Sequence, residues 1–256
     1  MKKTLFLITG MATISLMAQG ATLVSEWNGF TNDRSATTGN LAFSSYGTSS
    51  VSDGVLNVSA NGSLANRPTI DLSSSSLSLY DGLTISLKIK GMTAGVQDIM
   101  LGLASSDTSF LFSAGKNSSN QGYFFFNGSA NNAGNSPTQV IGVTSADTYS
   151  IITVTTAWDG SNVTFKMYEN GTQVATGKTN NTTLTQQDLS KMVLGGWAGE
   201  SPGSTSSEQV SRLAIYDGAM TAEEVQTAYT AWSVPEPTTA TLSLLGLAGL
   251  MLRRRK

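Results

Sequence analysis

The stretch from Ile151 to Gly171, IITVTTAWDGSNVTFKMYENG, decides the fold. Ile151 to Thr156 is mostly β-branched, and such side chains suit a pleated strand better than a helix. Two dipeptides punctuate the rest of the stretch. Asp159-Gly160 and Asn170-Gly171 tolerate the positive φ that tight hairpin turns require, so three antiparallel strands should form a meander. Alternation from Val163 places Val163, Phe165 and Met167 inward and Lys166 outward, with Trp158 inward on the neighbouring strand.

Outward from this meander, Leu83 to Lys90 (LTISLKIK) alternates apolar and polar over its whole length, which reads as a strand with one buried face. Further strands are expected at Leu23 to Trp27, Val55 to Val58, Ile99 to Leu103, Tyr123 to Phe126, Tyr149 to Trp158, Val163 to Tyr168, Met192 to Leu194 and Val210 to Tyr216. Clusters of Asn, Gly, Asp and Ser separate most of them. Only 12% of the 256 residues are charged, while 67 are Ser or Thr and 26 are Gly, a bias that suits many short strands joined by polar turns. The 39% hydrophobic content supplies enough apolar surface to offset chain ordering, which argues against disorder. With both ends set aside, about 210 residues remain, enough for one large β-sandwich or two small domains; one domain is expected.

The chain has neither Cys nor His. That removes thiol and Ser-His-Asp catalysis, disulfides, zinc held by imidazole or thiolate, and a lipid-modified N-terminal Cys. Any metal must be a hard cation bound by oxygens, for which calcium is the natural candidate, and Asp53, Asp98, Asp107 and Asp147 fall near strand or loop ends. None of these four forms a calcium-loop spacing, and each reads more simply as a turn-capping Asp, so no metal ligand is assigned. Between Thr22 and Val234, nine Lys and Arg stand against sixteen Asp and Glu, a net charge of −7. Nucleic acid is therefore not an expected partner.

The two ends read differently from the middle. Lys2 and Lys3 precede an apolar run from Leu5 to Met17, followed by the small residues Ala18, Gly20 and Ala21. This is the order of a signal peptide, with Ala18-Gln19-Gly20 as the cleavage site, and the run is shorter than the ~20 residues of a stable span. At the other end Val234-Pro235-Glu236-Pro237 is followed by an uncharged stretch, Thr238 to Leu252, and by Arg253-Arg254-Arg255-Lys256. Pro235 and Pro237 keep their segment extended, a form that a protease grips as a strand. The uncharged stretch, if helical, spans ~22 Å, less than the ~30 Å hydrocarbon core, and snorkelling Arg side chains relieve the mismatch while the basic cluster stays cytoplasmic. A permanent anchor is the alternative, which so short a span supports poorly.

This order of Pro-Glu-Pro, short hydrophobic segment and basic terminus resembles the PEP-CTERM tail of proteins handled by exosortases. The resemblance implies an inner-membrane intermediate with the tail transiently inserted, cutting near Pro237, and release to the envelope, surface or extracellular matrix. The expected organisation is a signal peptide at 1–20, removed by signal peptidase, a domain at 21–232 and a sorting tail at 233–256.

The meander, in turn, resembles the laminin G-like, concanavalin A-like lectin family, in which a Trp-bearing strand turns at Asp-Gly into a strand reading V-x-F-x-x-Y-x-N-G. Met192-Val193-Leu194-Gly195-Gly196 resembles that family's next strand, and Leu213 to Val225 its closing strand and helix. Thr221 and Glu224 there make a capping box. From Leu23 to Thr148 the strands are suitable but carry no motif. The implied fold is an all-β jelly-roll sandwich with one short C-terminal helix, its sheets meeting over Leu83, Ile85, Leu87, Ile89, Ile99, Leu101, Leu103, Phe165 and Ile215.

Trp158, Trp197 and Phe124-Phe125-Phe126 are the aromatics to weigh as sugar-stacking platforms. Alternation sends at least part of the Phe run into the core, and Trp158 sits on a core strand. Trp197, between Gly195-Gly196 and the Ser201 to Ser207 loop, has the best claim to exposure and is the one candidate ligand-binding residue. Glycosidases need two carboxylates facing one sugar; related hydrolases of this fold carry E-x-D-x-x-E on a strand, which is absent here. Lyases of the fold use His or Tyr with basic partners, and no basic cluster is present. The resemblance thus implies a non-catalytic, carbohydrate-binding surface or matrix protein. Its alternatives are a purely structural, adhesive protein and, less favoured, a glycoside hydrolase or lyase.

Overall fold

A computed structural model describes residues 20–61, 63–105, 110–126, 136–137, 139–179, 189–196 and 205–233. In chain order these form β1 (Thr22–Asn28), β2 (Thr38–Gly39), β3 (Phe43–Ser45), β4 (Ser50–Ser52), β5 (Val55–Asn61), β6 (Thr69–Asp71), β7 (Leu83–Lys90) and β8 (Asp98–Ala104). Next come β9 (Phe110–Lys116), β10 (Gly122–Phe126), β11 (Ser136–Pro137), β12 (Ser150–Trp158), β13 (Val163–Glu169), β14 (Thr172–Thr179), β15 (Lys191–Leu194), β16 (Thr205–Asp217) and a helix, α1 (Ala222–Ser233).

The strands build two antiparallel sheets. The larger runs β11-β14-β13-β12-β7-β16-β1-β2, and the smaller runs β10-β9-β8-β15-β6-β3. β16 is long enough to serve several partners. Its Arg212 to Asp217 half pairs with β1, its Thr205 to Val210 half pairs with β5 on the same edge, and β7 lies along the other edge. β4 extends the sheet from β5.

The meander forms as its pattern dictates. β12, β13 and β14 are consecutive neighbours, and Glu169 opposite Thr172 leaves a two-residue turn in which Asn170 (φ 49°) and Gly171 (φ 83°) both take the left-handed conformation. The Asp159-Gly160 turn is wider. Trp158 faces Val163, so four residues make the loop, closed where the Ser161 and Asn162 amides donate to Asp159 Oδ1 at 2.9 and 2.7 Å.

The core lies between the sheets. Val163, Phe165, Met167, Leu83, Ile85, Leu87, Ile89, Leu101, Leu103 and Ile215 all belong to it. Phe165 stacks on Phe112 from the opposite sheet, with centroids 4.5 Å apart and planes 10° apart. Trp158 is only half-buried, packed against Tyr80 at 5.0 Å, because its position at the end of β12 leaves one side of the ring open.

Ile99 departs from expectation. It is buried but lies outside the main cluster, where Met100 is found instead. The register between β8 and β9 jumps from Ile99–Gly115 to Leu101–Ala114, so a bulge with one extra residue turns Ile99 away from the face shared by Leu101 and Leu103. Gly115 accommodates this bulge, since a Cβ there would collide with the Asp98 carbonyl.

α1 covers the outer face of the large sheet. Its capping box forms in full: the Thr221 amide donates to Glu224 Oε2 at 2.7 Å and the Glu224 amide to Thr221 Oγ1 at 3.2 Å. Trp232 packs with Ile151 and Ala214, flanked by Tyr216 and Tyr229. Among the described residues no helix is long and apolar enough to cross a membrane. The uncharged tail from Thr238 to Leu252 lies outside them.

Candidate functional site

Three neighbouring strands of the small sheet, β15, β6 and β3, turn small polar side chains away from the core. In β6 Ile70 is fully buried between the outward Thr69 and Asp71; in β15 Met192 and Leu194 point inward and Lys191 outward; in β3 Phe43 is buried and Ser44 exposed. Pairing of Lys191 with Asp71, and of Phe43 with Ile70, brings these residues alongside one another. With Ser73 and Ser190 they line a cleft of about 360 Å³.

The polar groups of the cleft are already organised. The Ser73 amide and hydroxyl both donate to Asp71 Oδ1, at 2.9 and 2.6 Å, an Asx turn closing β6. These bonds, the hydroxyl's first, hold the Asp71 carboxyl below its ordinary value, and Lys191 across the ladder adds to the effect. Three other hydroxyls donate to backbone carbonyls: Ser44 to Thr69 at 3.1 Å, Thr69 to Arg67 at 3.0 Å and Ser190 to Ala104 at 3.3 Å. A hydroxyl has one hydrogen and two lone pairs. With the hydrogens committed to the protein, what these side chains offer to a ligand is mainly acceptor capacity.

A second polar cluster is built from β8, β9 and β16. Asp98 and Lys116 are opposite each other on β8 and β9, Glu208 comes from β16, and all three are buried. Lys116 Nζ donates to the Val96 carbonyl at 2.6 Å, and the Ile99 amide donates to Asp98 Oδ1 at 2.9 Å. Burial, reinforced by the Asp98 charge, pushes the Glu208 carboxyl well above the ordinary carboxylate range. Burial pulls the Lys116 ammonium down, against Asp98, which raises it. Glu208 also borders a cleft of about 250 Å³ with Asn57, Ser207 and Gln209.

Of the residues singled out in the sequence, Trp197, Asp107, the Pro235-Glu236-Pro237 motif and the Arg253 to Lys256 cluster (Arg253, Arg254, Arg255, Lys256) lie outside the described residues. Phe124 is buried between the sheets beside Phe112 and Phe165, while Phe125 is buried on the other face of β10 against Tyr123. Asp53 sits in the turn between β4 and β5 at φ 52°, Asp147 is exposed on a loop and Asp98 is buried. Among the described residues no three acidic side chains converge on a common point. No sequence pattern announces the cleft at β15, β6 and β3; the Asp71-Leu72-Ser73 turn is its one local signal.

Two curved antiparallel sheets closing over one core, with a helix on the outer face, define a jelly-roll β-sandwich. The chain belongs to the concanavalin A-like lectin/glucanases superfamily, whose model matches residues 64–226. Residues 233–256 match the PEP-CTERM protein-sorting motif. Domain and tail together mark a secreted protein of the envelope or surface, and the motif implies handling by exosortase-type sorting machinery. No curated protein matches the chain.

Among solved structures the chain is similar to Trypanosoma rangeli sialidase in complex with 2,3-difluoro-KDN (TM-score 0.61, 14% identity, 81% of this chain and 32% of that one). It is similar also to botulinum neurotoxin type C, described by its dependence upon interaction with two ganglioside molecules (0.55, 14%, 83% and 52%). The binding domain of botulinum neurotoxin serotype D is a third (0.56, 11%, 82% and 51%). At these identities the likeness is one of fold, and this chain spans only a part of each of the three.

Proposed function

We propose that this protein is exported by way of its signal peptide, cut by an exosortase near Pro235-Glu236-Pro237, and released as a non-catalytic module that holds a neutral or weakly cationic polysaccharide. The observation that carries the binding reading is the cleft at β15, β6 and β3. Hydroxyl oxygens with their hydrogens committed elsewhere, one ionised carboxylate and one ammonium suit a polyhydroxylated ligand, whose many O–H groups donate. Such a ligand is recognised without desolvating a charge of its own. The net charge of −7 between Thr22 and Val234 disfavours anionic polymers.

The non-catalytic reading rests on the same cleft. Asp71 is the one carboxylate among its lining residues, and its depressed pKa keeps it ionised at neutral pH, whereas glycoside hydrolysis needs a second carboxyl group serving as the acid. Shallow polar sites reach micromolar to millimolar Kd, about 4–8 kcal/mol, so retention on a matrix relies on many copies or a multivalent glycan. A structural, adhesive role is the second reading. What favours it is that, among the described side chains, every Trp, Phe and Tyr is buried or half-buried, none lying fully open to a sugar.

A glycan array with the full-length secreted protein, with and without calcium, tests the reading. Binding to neutral glycans that Ser73→Ala and Asp71→Asn weaken supports the cleft. Release of reducing ends would establish an enzyme, and absence of binding to every glycan would leave the structural reading.

A further inference from the structure

Trp158 and Tyr80 meet where β12 ends and β7 is about to begin, with ring centroids 5.0 Å apart and planes 37° apart, and both side chains are half-buried. Their backbones are fixed. The Tyr80 amide donates to Ser78 Oγ at 3.0 Å, the Thr156 hydroxyl donates to the Leu79 carbonyl at 3.4 Å, and Leu79 is fully buried. Trp158 is pinned by its pairing with Val163 across the hairpin and packs against the main core.

The polar atoms of the pair are unused by the protein. Elsewhere such groups are satisfied: the Trp27 indole donates to the Arg34 carbonyl at 3.2 Å and the Tyr46 hydroxyl to the Thr31 carbonyl at 2.9 Å. Among the described residues nothing pairs with the Trp158 N–H or the Tyr80 hydroxyl, and neither atom is shut away from solvent. An aromatic with its body packed and its polar tip in water is the arrangement that interfaces favour. Two carboxyl groups border it. Thr156 faces Leu83, so Trp158, two residues on, comes level with Asp81, which is exposed. Asp159 follows Trp158; the Asn162 and Ser161 amides hold its carboxyl below the ordinary value, and Lys178 adds a smaller effect.

We propose that Trp158 and Tyr80 form a second carbohydrate site, which takes an uncharged pyranose by its apolar C–H face. The sugar ring lies on the open side of the aromatic pair, one hydroxyl accepts from the Trp158 N–H, and others donate to Asp159 and Asp81. The carboxyl groups at the rim work against uronic or sulfated sugars. No aromatic residue lines the cleft at β15, β6 and β3, so the two sites read different features of a glycan, and this one stands whether or not the cleft binds.

The test is a titration of the full-length secreted protein, labelled with nitrogen-15, with cellohexaose, laminarihexaose, mannohexaose and a heparin hexasaccharide, followed at the indole N–H resonances. Trp158→Phe identifies the Trp158 resonance by removing it. With at least one neutral hexasaccharide that resonance should shift and saturate; Trp158→Ala should weaken the binding about three- to tenfold, and Trp158→Phe, which keeps a ring, by less. If Trp158→Ala does not fold, the resonance shift in the parent protein decides. Saturable binding that leaves the Trp158 resonance in place would overturn the site, as would silence toward every neutral hexasaccharide or a preference for the heparin fragment. Asp71→Asn with Ser73→Ala separates the two sites. A Trp158 shift that persists in that variant supports the aromatic site independently of the cleft, whereas binding that the variant abolishes and that never moves the Trp158 resonance removes the aromatic site and leaves the cleft.

Discussion

Phe165→Ala is the sharpest test of the register that builds the core. Phe165 is fully buried, stacked on Phe112 at 4.5 Å across the sandwich and 5.9 Å from Phe124. Three strands of two sheets surround the site, so the walls have little freedom to collapse, and the truncation should cost about 3–5 kcal/mol. For a domain of this size that is roughly 6–20 °C in Tm. Lys166, the next residue, is exposed on β13, and Lys166→Ala should stay within about 0.5 kcal/mol. Urea titration followed by tryptophan fluorescence measures both. A double-mutant cycle with Phe112→Ala should return a coupling of about 0.5–1.5 kcal/mol from the stacked rings. Equal, small effects at positions 165 and 166 would refute the register, since a one-residue slip exchanges their faces.

Glu208→Gln should flatten the pH dependence of stability. The folded domain holds the Glu208 proton more tightly than the unfolded chain, so its contribution is full below the ordinary glutamate value and is lost as pH rises through the folded one. The parent's melting temperature should therefore fall between pH 5 and 8 relative to the variant's, and parallel curves would show that Glu208 is not the group responsible. Thr221→Ala removes one half of the capping box and should cost about 0.5–2 kcal/mol, with Glu224→Gln milder; a loss below about 0.2 kcal/mol in chemical denaturation would mean that the packing of Val225 and Trp232, not the cap, holds α1. At the cleft, Ser73→Ala should release the Asp71 carboxyl back toward its ordinary pKa, readable as an upward shift in a carboxylate NMR titration. An unmoved midpoint would show that the Ser73 amide and Lys191, not the Ser73 hydroxyl, hold the charge.

The core is legible where the chain alternates with large residues. Leu83 to Lys90 is bounded to the residue, because its inward Leu and Ile side chains contrast with Thr, Ser and Lys on the other face. β9 is hidden because Ser113 and Gly115 dilute its pattern, and Gly115 is there for the bulge, a feature of the pairing and not of either strand alone. The displacement of Ile99 has the same origin. The cleft is illegible for a different reason. Its residues come from three separate segments, at 44, 69–73 and 190–191, and are mostly Ser or Thr, types that recur 67 times in the chain. Only sheet order brings them together.

β16 ties the sequence's extremes to its middle. Thr22 at the start of β1 faces Asp217, and β7 and β5 lie on the same strand, so three segments of the large sheet wait for one that comes almost last. A chain that crosses a membrane from its N-terminus must therefore present β1, β5 and β7 as unpaired edges until Thr205 to Asp217 has emerged, just ahead of the sorting tail. Closure of so distant a contact is slow compared with local pairing. The meander of β12 to β14 needs no such wait and offers a locally closed nucleus on which the arriving strand can assemble the rest. The exported chain consequently carries these three open strand edges until β16 arrives, with the meander already available as the surface on which they close.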